Sequence, residues 1–122
     1  VSDTFEKLLE VLKENDSVQV FAKVDYQLAA KSVNRELRPA KLVVFGNPKL
    51  GTPLMQKSRT VGVDLPQKMF VYENEQGAIQ IAFNDPTYLA ERHGIDPETE
   101  VLSKIDQALK KFAAKAAEEI SN

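Results

Sequence analysis

The 122-residue sequence predicts a single α+β domain in which a four-stranded, mainly antiparallel sheet packs against an N-terminal helix and a long C-terminal helix. Two segments carry apolar residues at the helical period, one at each end of the chain. Between them lie four segments with strand-like patterns, separated by turn chemistry. The length fits one hydrophobic core and leaves no room for a second, so residues 1–122 are read as one domain.

The first helix is marked by Asp3 as N-cap and Glu6 three residues later, a capping box. Phe5, Leu8, Leu9 and Leu12 then form one apolar stripe, and Asn15-Asp16 ends it. From Ser17 the period becomes two. Val18, Val20, Ala22 and Val24 are expected on the core face of a strand, with Gln19, Phe21 and Lys23 opposite. Phe21 is the apolar exception on that outer side. Tyr26–Asn34 reads as a short helix through Leu28, Ala29, Ala30 and Val33.

Lys41–Phe45 is a second strand, apolar enough at Leu42–Phe45 for burial on both faces. After the turn Gly46-Asn47-Pro48-Lys49-Leu50-Gly51, Thr52-Pro53 is expected to cap a brief helix over Leu54–Gln56. Thr60–Pro66 reads as irregular. Gln67–Glu73 and Ala78–Phe83 are strands joined by the hairpin-length Asn74-Glu75-Gln76-Gly77, with Gly77 where a positive φ is commonly needed. Asp85-Pro86 opens a short helix to about His93, with Gly94 as its C-terminal stop, and Asp96-Pro97 opens the last helix. Its apolar face runs through Val101, Ile105, Leu109, Phe112, Ala116 and Ile120. Glu98 and Glu100 suit its positive end, whereas Glu118 and Glu119 oppose the dipole at the other.

Composition narrows the function classes. Cysteine is absent, which excludes disulfides, thiolate nucleophiles and thiolate metal sites. A formal charge of -2 and the absence of Trp give no general attraction to nucleic acid and a poor stacking platform. No stretch approaches the ~20 apolar residues of a membrane-spanning helix. No signal-peptide pattern precedes the first helix, so a cytoplasmic location is expected; a periplasmic one would follow had an upstream targeting segment been removed, since the chain opens on Val1.

The densest candidate for ligand binding is Gly46–Pro53. Gly46 and Gly51 let backbone N–H groups approach a guest, Asn47 and Thr52 add polar side chains, and Lys49 adds charge, a combination suited to a carboxylate or phosphate. It is not a nucleotide-binding P-loop, because the Gly-Lys-Ser/Thr ending is missing. The alternative is a demanding turn whose donors satisfy one another. His93, the one histidine, could carry protons or cap its helix; a zinc site there would lack ligands even with Glu91 and Asp85. Asp25 and Asp85 lie at strand ends, as site residues or caps, and Arg38 belongs to a basic cluster with Arg35. No metal ligands, cofactor or Ser-His-Asp order is identified, and no catalytic residue is assigned.

The ordered motifs Leu37-Arg38-Pro39, Phe45-Gly46-Asn47-Pro48, Gly51-Thr52-Pro53-Leu54-Met55, Asp64-Leu65-Pro66, Tyr72-Glu73, Asn84-Asp85-Pro86 and Tyr88–Gly94 resemble domain-of-unknown-function family 302 of bacteria and archaea. That resemblance covers nearly the whole chain. It implies a TBP-like α+β fold, with the family's initial strand missing before the first helix, and a homodimer. The family's Asp-His at the end of the first complete strand is Asp25-Tyr26 here, so a role resting on that histidine does not transfer. The expectation is a homodimer that binds a small anionic or polar ligand through Asp25, Arg38, Gly46, Asn47, Lys49, Gly51, Thr52, Asp85 and His93. The alternatives are a protein-interaction module, or an enzyme using His93, Asp85 or Asp25.

Overall fold

A computed structural model describes residues 1–121, with side chains through Ala117. The order is α1 (Ser2–Lys13), β1 (Gln19–Asp25), α2 (Tyr26–Ser32), β2 (Ala40–Gly46), α3 (Pro48–Lys57), a 3-10 turn (Arg59–Asp64), β3 (Gln67–Glu73), β4 (Ile79–Phe83), α4 (Pro86–Arg92) and α5 (Glu100–Ser121). The strands pair antiparallel in the order β1-β2-β3-β4.

Register assigns each side chain to a face, because directly opposed residues of an antiparallel ladder point the same way. Val43 pairs with Met69, Met69 with Phe83, and Val71 with Ile81, so these residues share one face. That face carries the core. Leu8, Leu12, Val43, Leu54, Met69, Val71, Leu89 and Leu109 join one buried cluster, so α1, α3, α4 and α5 all lie on this side. Phe45 meets Phe112 edge-on, with ring centroids 6.0 Å apart. At ~25 cal/mol per Å² of apolar surface withdrawn from water, this single layer contact is the main stabilising element.

Several local expectations are corrected. The alternation of β1 breaks at a bulge between Val20 and Ala22. One extra residue reverses the side-chain order. Ala22 and Val24 therefore pair with Val44 and Leu42 on the sheet's outer face instead of entering the core. α1 starts two residues early, with Val1 at the N-cap and no side-chain cap, so the Asp3–Glu6 capping box does not form. Asp3 sits instead in the first turn, where the helix dipole favours it.

The largest correction is α3. It begins at Pro48 rather than after Thr52, with the Asn47 carbonyl side chain accepting from the Lys49 N–H at 3.0 Å. Asn47-Pro48 is the same cap-plus-proline signal as Thr52-Pro53, and the earlier start lets the helix span Leu50 and buried Leu54 on one side. Pro53 is carried inside the helix, without an amide hydrogen to donate. α5 likewise starts at Glu100, not Asp96-Pro97, and its buried face is Leu102, Ile105, Leu109, Phe112 and Ala116, with Val101 only half-buried. The expected extension to Ile120, and the opposing Glu118 and Glu119, lie outside the described side chains. Gly77 and Gly94 have the positive φ expected of them, 84° and 68°.

Candidate functional site

Where α3 and the 3-10 turn leave the sheet, they stand away from α5 and enclose a cleft of about 320 Å³. One wall is Phe45 and Phe21 with Gly46, the second is Leu50, Gly51 and Met55 of α3, and Leu65-Pro66 close a third. Ile105, Ala108, Leu109 and Phe112 of α5 form the floor. Two close approaches shape it. A Cβ on Gly46 would stand 3.3 Å from the Phe21 ring, and one on Gly62 would stand 3.1 Å from the Met55 methyl. Phe21, at the bulge, is turned onto this rim and remains 56% exposed.

No lining residue is charged. The polar members are Asn15, Asn47, Thr52 and Gln67. Asn15 Oδ1 accepts from the Ser17 N–H at 3.0 Å, and Asn47 Oδ1 is occupied by its cap. Gln67 differs: its amide nitrogen is buried and has no partner among the described residues.

Gly46, Asn47, Gly51 and Thr52, all nominated from the sequence, line this cleft. The other nominated residues do not join them. Lys49 is exposed outside the lining. Asp25 caps α2 by accepting from the Leu28 N–H at 3.0 Å, and Arg38 pairs with Glu73 at 2.8 Å. Asp85 caps α4, accepting from the Thr87 N–H at 2.9 Å and its hydroxyl at 2.8 Å; these bonds hold its carboxyl below the usual range. At Gly46–Pro53, where an anion cradle is expected, the backbone donors bond within the turn. Pro48 has no N–H, Lys49 donates to the Asn47 side chain, and Leu50 and Gly51 both donate to the Asn47 carbonyl at 2.9 Å. The first backbone donors of α3 are therefore engaged.

His93 is buried in a bracing network that the sequence reading missed. Its Nε2 lies 2.6 Å from Asp64 Oδ2 and its Nδ1 3.0 Å from Thr60 Oγ1, with Ser58 Oγ a further 3.1 Å along. An ionised carboxylate only accepts, so Nε2 donates to Asp64. In the neutral ring Nδ1 accepts from Thr60, and Thr60 accepts from Ser58. Arg92 adds an ion pair to Asp64 at 3.1 Å. The His93 bond holds the Asp64 carboxyl below its ordinary value; burial pushes back next, and the Arg92 charge then adds to the lowering. A hydroxyl–imidazole–carboxylate order is also that of an activated nucleophile. Here it ties the 3-10 turn to the end of α4, and neither Thr60 nor His93 lines the cleft. By fixing Ser58–Asp64 it sets the wall that Gly62 and Leu65 present.

The family model described as "Domain of unknown function DUF302" matches residues 1–112. The chain belongs to the DUF302 family. A solved DUF302 protein from Bacillus stearothermophilus superposes with a TM-score of 0.81, covering 94% of this chain and 89% of that one at 23% identity. That likeness concerns the fold, the four-stranded TBP-like α+β arrangement that the sequence motifs implied. Proteins named fluoride-specific ion channel FluC 1 from Brucella suis and Brucella abortus are 38% identical over 104 residues, which is 85% of this chain. The match takes in 41% and 38% of their lengths, so this DUF302 chain spans about two fifths of those relatives. Among its own described residues, no helix is long and apolar enough to cross a membrane, and no group of three or more His, Asp or Glu side chains is placed to hold a metal ion.

Proposed function

We propose that this DUF302 domain is a binding module for a small, neutral, mainly apolar molecule seated in the cleft between α3, the 3-10 turn and α5. The observation that carries the reading is a concavity of ligand size whose wall is apolar and free of charged side chains. A carboxylate or phosphate placed there would lose its hydration without gaining a counter-charge. Of the small anionic or polar ligand expected from the sequence, the anionic alternative therefore gives way to a neutral guest. Catalysis has weaker support, because Asp25, Asp85 and His93 are separately engaged in caps and the brace.

The test is amide shift mapping by NMR with neutral fragments and, in parallel, phosphorylated and carboxylated metabolites. Neutral fragments are expected to move Gly46, Gly51, Gly62 and Leu65. Shifts confined to other surfaces, or produced at α3 by the anions alone, would remove the reading. The fluoride in the names of the Brucella relatives enters as a control: with no cation in the cleft wall, potassium fluoride is expected to leave those amides in place.

A second reading, self-association, rests on the outer face of the sheet. Ala22, Val24, Leu42, Val44, Phe70 and Tyr72 share that face, opposite the helices that cover the core side. Phe70 stacks on Tyr72 with centroids 5.2 Å apart, and Tyr26 meets Phe70 edge-on. Lys68 and Gln80 share the face, and a mainly apolar sheet face of this kind suits an isologous contact with a second copy. Sedimentation is expected to find a dimer that Val44→Asp converts to monomer. Monomer at every concentration of the unaltered protein would dispose of it.

A further inference from the structure

The cleft's wall holds one polar group with nothing to do. Gln67 opens β3, directly opposite Phe45 of β2, and its side chain forms part of the lining. Its amide nitrogen is buried without a hydrogen-bond partner among the described residues. An unpaired buried donor is costly, and native proteins retain very few. Water is a poor remedy at this spot: a buried water needs two to four polar partners, and the neighbours of Gln67 in the wall are Phe45, Leu65 and Pro66. The remaining polar side chains of the cleft give no substitute: the Asn15 and Asn47 acceptors are engaged by backbone N–H groups, and the Thr52 hydroxyl makes no hydrogen bond to Gln67.

We infer that Gln67 is the specificity-determining contact of the cleft: its amide, closed off while the cleft is empty, turns about the side chain to donate to a single acceptor oxygen on an otherwise apolar guest. The inference rests on the cleft being the binding site. It names the ligand class more closely: a neutral ketone, aldehyde, ester or amide of modest size, with its carbonyl oxygen at Gln67 and its hydrocarbon part against Phe45, Leu50, Leu109 and Phe112. A cleft of about 320 Å³ corresponds to the liquid volume of about ten waters, so a guest on the order of ten non-hydrogen atoms fills it. A pure hydrocarbon of the same shape would fill the space and leave the donor unpaired. A carboxylate would satisfy the donor and bring an uncompensated charge into an apolar wall. Both are disfavoured relative to the carbonyl compound, for opposite reasons.

Three probes of matched shape separate these cases: acetophenone, α-methylstyrene, in which a methylene replaces the carbonyl oxygen, and benzoate. Affinities are measured by amide shift titration on the full chain. Acetophenone is expected to bind roughly three- to tenfold more tightly than α-methylstyrene, the worth of one neutral hydrogen bond, with benzoate weakest. Gln67→Met keeps the side chain's length and apolar stem while removing the amide. It is expected to erase the preference, and to leave the free protein at least as stable in a thermal melt because no donor is left unpaired. The wild-type ranking of the probes tests the idea even if that variant folds poorly. Equal binding of acetophenone and α-methylstyrene, with shifts at Gly46 and Gly62, would refute the role of Gln67 while sparing the cleft. Failure of all three probes to shift any cleft amide would overturn both.

Discussion

Replacing Leu109 with Ala tests the contact on which the architecture and the cleft both depend. Leu109 is 1% exposed, lies on the buried face of α5 with Ile105 and Phe112, and also contributes to the cleft floor. Three carbons leave the interior, worth about 2.4 kcal/mol at ~0.8 kcal/mol each. A residual void of ~50 Å³ would add about 1.2 kcal/mol at ~24 cal/mol per Å³. Because the vacated space opens onto the existing cleft, part of it is relieved by solvent, and the expected loss is about 3 kcal/mol. Urea unfolding followed by far-UV circular dichroism reads this directly. With a slope of ~1–3 kcal/mol per molar, the midpoint should fall by about 1–3 M at unchanged slope. Lys111→Ala, on the exposed side of the same helix, should stay within about 0.5 kcal/mol of the parent. A Leu109→Ala midpoint indistinguishable from that control would mean that α5 does not seal the core.

Three further outcomes follow from local geometry. The Asp64 carboxyl is held below its ordinary value by His93 and Arg92, so its contribution to stability is full above the unfolded-state value and disappears as pH falls through the lower folded-state value. Asp64→Asn should therefore lower the melting temperature near neutrality, with the gap to wild type closing in acid; a gap that widens in acid would contradict the brace. Gly94 has φ 68° and open space around a built Cβ, so Gly94→Ala should cost about 1–2 kcal/mol from backbone conformation alone, and Gly94→Asn less, in the same urea assay. Asn47→Ala removes the cap of α3 and should cost about 1 kcal/mol in thermal or chemical melts, whereas no measurable change would show that the Lys49 N–H is satisfied elsewhere.

Much of the fold was legible because it rests on local periodicity. β3 runs over the same Gln67–Glu73 that the sequence indicates, and α1 buries the Phe5, Leu8, Leu9 and Leu12 stripe. What was illegible depended on partners. The β1 bulge is a property of pairing with β2, so nothing in Val18–Val24 announces that Ala22 and Val24 turn outward. The sequence points to a start of α3 at Thr52-Pro53, whereas the helix begins after Asn47, whose side chain accepts from the Lys49 N–H. Asp64 enters only through the Asp64-Leu65-Pro66 motif, with no role, because its importance comes from His93, which reaches it only in three dimensions.

In the cleft, four of the residues singled out in the sequence meet a lining whose character comes from elsewhere in the chain. Gly46, Asn47, Gly51 and Thr52 are the residues a chain uses when backbone must pass close to something, and here the close objects are Phe21 and the Asn47 cap itself. Glycines and a lysine in one segment suggested an anion, but electrostatic character belongs to the whole enclosure. Its opposite side comes from Ile105, Ala108, Leu109 and Phe112, whose helical spacing reads in sequence as core and nothing more. The same α5 face that stabilises the sheet thus decides what the cleft can hold. Any substitution that places a cation on that floor, such as Ala108→Lys, would have to disturb the packing before it could change the apolar character of the cleft.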